Sequence, residues 1–100
     1  MMRIFVDPIA KSEIRETAQT YEAHRRGLGA LFRDEPRDVL TRIREAPRAF
    51  RVVQEDIRRA NLTQFPYAVF FILREPRKIH VIAVTHQRRD PAIWAGRFRV

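Results

Sequence analysis

Seven consecutive uncharged residues, "YAVFFIL" at 67–73, constrain this chain's fold more than any other stretch of its sequence. Aromatic and β-branched side chains dominate the run, which is bounded by Pro66 and by the turn-forming "REPRK", so it reads as a strand buried on both faces. A second run, "KIHVIAV" at 78–84, follows directly. The five-residue link "REPRK", with Pro76 inside it, makes the two runs an antiparallel hairpin. Upstream, "RVV" and "DIRRANL" read as shorter, partly exposed strand segments.

The first half reads differently. "MRIFV" is a short strand over residues 2–6, ended by Asp7-Pro8, which starts a helix: Asp7 serves as N-cap and Pro8 takes the first helical position, where its missing N–H costs nothing. Ile14, Ala18 and Tyr21, with Ile9, share one side at helical spacing, and Gly27 is expected to end the helix. Leu28, Leu31, Phe32, Val39, Leu40, Ile43 and Ala46 form a second amphipathic stripe that closes before Pro47. Pro36 conflicts with that stripe, because an interior proline removes a hydrogen bond and crowds the carbonyl of Phe32, so a kink or break is expected near Asp34 to Pro36. The expected architecture is α+β in the order β-α-α-β-β-β, a helical hairpin packed on one face of a small antiparallel sheet.

A chain of 100 residues fits one domain over 1–100. It has no cysteine, which excludes disulfides, thiolate metal sites and a cysteine nucleophile, and suits a cytoplasmic protein. No segment approaches the roughly 20 apolar residues of a membrane span. Three glycines form no phosphate loop, and His24, His80 and His86 lack ligand spacing with acidic neighbours, so neither cofactor nor metal is expected. The net charge of +8 is uneven: the second half has ten basic residues against four acidic ones, which points to an acidic partner, nucleic acid or protein.

The order of elements, the "FPYAVFF" start of the long strand, and "IAVTHQRRDP" followed by a tryptophan together resemble the RelE/ParE toxins of bacterial type II toxin–antitoxin systems. The resemblance runs from the first strand through "YEAHRRGLGALF" to Trp94. It implies a small growth-inhibiting protein neutralised by a cognate antitoxin, of a kind associated with plasmid stabilisation. RelE-like members cut mRNA on the ribosome, whereas ParE-like members act on DNA gyrase. Antitoxin segments of this family cover the hairpin and sheet, which implies poor solubility or homo-association without the partner.

Metal-free RNA cleavage needs a base, an acid for the leaving oxygen, and cations on the developing phosphorane charge. RelE-like enzymes supply these from sheet lysines and arginines and from a C-terminal tyrosine or histidine. Here the only lysines are Lys11 and Lys78, and no tyrosine follows Tyr67. What remains is Arg58 and Arg59, Tyr67, Arg74, and His86 with Arg88 and Arg89. His86, as an imidazole able to act as general acid or base, is the one candidate catalytic group; the plainer alternative is a strand-ending histidine bonded to backbone. Arg88 and Arg89 suit phosphates or acidic side chains, or a solvated turn. Arg58 and Arg59 are adjacent on a strand and point to opposite faces. His80 points away from the face of Ile79 and Val81 and reads as structural or exposed. Asp90-Pro91 repeats the helix-start signal, and Trp94 is expected to pack over the sheet rather than touch a target. Three functions follow: a gyrase-directed toxin without catalysis, a ribosome-dependent mRNA interferase, and a non-toxic antitoxin-binding domain.

Overall fold

In the computed structural model, residues 2–90 and 92 are described. The elements run β1 (Arg3–Val6), α1 (Pro8–His24), α2 (Leu28–Glu45), a 3-10 turn (Pro47–Ala49), β2 (Arg51–Gln54), β3 (Ile57–Asn61), β4 (Tyr67–Arg74) and β5 (Lys78–His86). The α+β class and the helical hairpin on a sheet are as read from the sequence. Two features of the sheet differ. Residues 51–61 fold back on themselves as two strands, giving five in the order β1-β5-β4-β3-β2. The sheet is also mixed: β1 lies parallel to β5, and all other pairs are antiparallel. The parallel edge follows from the helical hairpin, which carries the chain across one face before it returns through the other strands.

Both faces of β4 and β5 are buried, as the uncharged run requires. On the helix side Val69, Phe71, Ile79, Val81 and Val84 pack with Ala10, Ala18, Phe32, Val39 and Ile43. On the other face Ala68, Phe70, Ile72, Ile82 and Ala83 cluster with Ile57.

α1 starts as expected, with the Asp7 carboxylate accepting from the Ile9 N–H at 3.0 Å. It ends at His24 rather than Gly27, which instead takes φ 93° and opens α2. Glu22 makes that tight connection: its carboxylate accepts from the N–H groups of Gly27 and Gly29. These bonds hold its carboxyl below the usual range. The expected break at Pro36 does not occur. α2 runs through it as one helix with Pro36 buried, because Phe32, Val39 and Ile43 on the same face are fully buried and their packing outweighs the lost hydrogen bond. Ile9 and Leu31, placed on the buried stripes by spacing, are 44% and 48% exposed at the stripe margins; Ala46 is exposed as well.

Glu35 ties α2 to the loop that leads into β4. Its carboxylate accepts from the Thr63 N–H at 2.6 Å, the Gln64 N–H at 3.0 Å and the Thr63 hydroxyl. Burial pushes this carboxyl up, but the bonds from Thr63 and Gln64, helped by Arg42, outweigh burial and leave it below the usual carboxylate range. A depressed folded-state pKa means that Glu35 contributes stability above the unfolded carboxylate pKa and loses it as pH falls through the lower folded value. Glu35→Gln is therefore expected to lower the melting temperature at neutral pH, with the gap to wild type closing in acid. A gap that stays constant across a pH series would show that the charge on Glu35 does not matter.

Candidate functional site

The last strand contains the device that builds the site. Phe71 pairs with Val81 and Phe70 with Ala83, so Ile82 is an extra residue and β5 is bulged. Before the bulge Ile79 and Val81 face the helices; after it Val84 does, and with it His86. Unbroken alternation would have turned His86 to the opposite face. Beside the bulge, Glu13 of α1 accepts from the Val84 N–H at 2.9 Å, which pins helix to strand.

His86 is thus brought opposite Tyr67, its register partner, with ring centroids 5.5 Å apart. Tyr67 is held in turn by an aromatic cluster: Tyr21, Phe32 and Phe65 contact one another, and Tyr21 and Phe32 contact Tyr67. Burial pushes the Tyr21 phenol up, and the neighbouring Tyr67 adds to the shift. Glu13, Glu16, Thr17, Tyr67, His86 and Arg89 surround a recess of about 270 Å³. Along α1 it meets a second recess of about 330 Å³, which Thr20, Tyr21 and His24 help to line.

The tautomer of His86 follows from its contacts. The Arg88 N–H donates to Nδ1 at 3.1 Å, so the neutral ring carries its proton on Nε2, which is then a donor rather than a free lone pair. The Gln87 side chain donates to the Tyr67 carbonyl at 3.2 Å and its N–H to the Pro66 carbonyl at 2.9 Å, which fixes the turn after β5.

The sequence candidates separate into three places. Tyr67, His86 and Arg89 share the recess, while the exposed Arg88 meets His86 through its backbone. Arg58 faces the helix side, but its guanidinium is engaged by the carbonyls of Phe50 at 2.7 Å and Arg48 at 3.4 Å. Arg59 and Arg74 lie on the other face, opposite Phe70 and beside His80 respectively. There Arg74 Nε donates to His80 Nδ1 at 3.2 Å and His80 Nε2 meets Asp7 at 3.1 Å, so His80 is buried and structural. Asp90 accepts from the Ala92 N–H as an N-cap would. Trp94 lies outside the described residues. The acidic side of the recess, Glu13 and Glu16, escaped the sequence reading because nothing in a polar helix face shows which strand end it meets.

A helical hairpin on a five-stranded mixed sheet is a fold shared with solved proteins of toxin–antitoxin systems. Over residues 4–91 the sequence matches the family described as ParE toxin of type II toxin-antitoxin system, parDE. The chain belongs to the ParE toxin family. Among solved structures it is similar to the chromosomal ParDE TA system from P. aeruginosa, with TM-score 0.76 and 10% identity over 86% of this chain and 96% of that one. It is also similar to the intact E. coli RelBE toxin-antitoxin complex, with TM-score 0.64 and 19% identity over 89% of this chain and 100% of that one. The isolated E. coli RelE toxin gives TM-score 0.64 and 19% identity over 96% and 95%. These likenesses show the fold. No curated protein sequence matches the chain.

Proposed function

We propose that this toxin arrests growth by acting on DNA gyrase, as a binding inhibitor in the cytoplasm, and that a cognate antitoxin neutralises it. The observation that carries this reading is the charge of the His86 recess. Among the described residues, two carboxylates, Glu13 and Glu16, face it against one arginine, Arg89. A phosphodiester about to gain charge in its transition state needs the reverse. The other strand cations do not join His86: Arg58 and Arg74 are engaged within the fold, and Arg59 lies on the opposite face. The recess therefore suits contact with a protein surface, with Tyr67 and His86 as aromatic anchors. The family match over 4–91 and the likeness to a ParDE system support the same reading. Among the described residues no helix is long and apolar enough to cross a membrane.

Expression without antitoxin should arrest growth and induce the DNA-damage response while leaving mRNA intact. His86→Ala is expected to weaken arrest without abolishing it, whereas loss of a general acid or base would cost about 10²–10⁴-fold. Arrest with cut mRNA and no damage response, abolished by His86→Ala, would favour the interferase instead.

A further inference from the structure

β2 and β3 form a ribbon at one edge of the sheet, and its register sets Arg51 directly opposite Arg59. Paired residues project from the same face, here the one carrying Phe70, which is the register partner of Arg59 in β4. Arg51 is exposed and Arg59 half-buried. Neither guanidinium has a hydrogen bond or carboxylate partner among the described residues. The ribbon's own acids, Glu55 and Asp56, are in its turn, beyond the Gln54–Ile57 pair and at the far end from Arg51 and Arg59. Like charges directly opposite each other destabilise an antiparallel pair, so folding gains nothing from this arrangement.

We propose that Arg51 and Arg59 together contact the phosphodiester backbone of duplex DNA. Two guanidiniums on adjacent strands present planar forks of donors that match phosphate oxygens, and their long side chains can reach neighbouring phosphates. Asn61, two residues beyond Arg59 on the same face and exposed, adds a donor on that row. The exposed part of the row offers donors rather than the apolar anchors that an acidic polypeptide segment would use. His86 lies on the opposite face, so the pair binds a backbone without cleaving it. The proposal rests on the gyrase reading only for its biological setting, since DNA is what gyrase holds. Binding of duplex by the toxin alone is a separate property.

The test is fluorescence anisotropy of a labelled DNA duplex titrated with the full chain at stepped salt. Wild type should bind with strong salt dependence. Arg51→Gln and Arg59→Gln should each weaken binding about tenfold and reduce the slope of log affinity against log salt by about one, and the double variant by about two. Arg37→Gln, an exposed arginine on α2, should leave the slope unchanged. Thermal melts of the double variant should equal or exceed wild type, because a repulsion has been removed. Wild-type affinity and slope in the double variant would overturn the proposal. So would a clear fall in its melting temperature, which would make the pair structural. Failure of wild type to bind duplex, with an acidic peptide binding through the same two arginines, would assign the ribbon to a protein partner. Gyrase is absent from these measurements, so failure of the gyrase reading would leave them unchanged.

Discussion

Phe32→Ala is expected to lower folding stability by about 3–5 kcal/mol, a large share of the roughly 5–15 kcal/mol available to a domain of this size. Phe32 is fully buried and is the one ring of α2 that reaches the cluster at the foot of β4, with centroids 5.2 Å from Phe65, 5.3 Å from Tyr67 and 5.5 Å from Tyr21. Removing it opens a cavity lined by three rings held in place by backbone on both sides, which limits collapse and places the cost high in the usual range. Tyr67 loses support at the same time, so the variant should also blunt the face that Tyr67 and His86 share. Urea denaturation measures the first effect; a loss below about 1 kcal/mol would show that the cluster packs loosely.

Gly29→Ala should also destabilise, by about 1–3 kcal/mol, where the same change in an ordinary helix interior would stabilise by about 1 kcal/mol. An added Cβ would stand 2.8 Å from the Ala18 carbonyl oxygen and 2.9 Å from Glu22 Oε1. The first contact is backbone of α1, which cannot rotate away. The second is the carboxylate that accepts from the Gly29 N–H itself at 2.9 Å. Relieving the clash pushes the two helices apart or breaks the Glu22 clasp, and either loosens the hairpin. Thermal melts of Gly29→Ala and Glu22→Gln separate the two: if the clasp is what fails, the double variant should melt no lower than Gly29→Ala alone.

The strands were legible because their chemistry is local. "YAVFFIL" and "KIHVIAV" contain few polar residues, and a proline-bearing link between them leaves only a hairpin. Asp7-Pro8 announced α1 for the same reason. Misreadings arose where tertiary packing decides. Pro36 obeys its own rule in isolation, yet the burial of Phe32, Val39 and Ile43 carries the helix through it. The partner of β1 is set by where the hairpin delivers the chain, which no local pattern encodes. In the site, Tyr67, His86 and Arg89 were named from sequence, but their meeting depends on the bulge at Ile82. That bulge lies within an apolar run, "VIAV", where both faces are buried and a slip of one residue leaves no mark on the hydrophobic pattern. Arg58 and Arg74 are binding candidates by sequence, and their engagement by Phe50, Arg48 and His80 depends on contacts remote in sequence or across a turn.

The proposed action of this ParE-family chain is inhibition of gyrase by binding, without a catalytic step. Supercoiling of relaxed plasmid by purified gyrase, titrated with the purified chain, puts this action to the test. Inhibition that grows with the ratio of toxin to gyrase, and that is weakened by changes at Tyr67 and His86, is the predicted result. Undiminished supercoiling at high excess over gyrase, from a preparation that still cuts ribosome-bound mRNA, would contradict it.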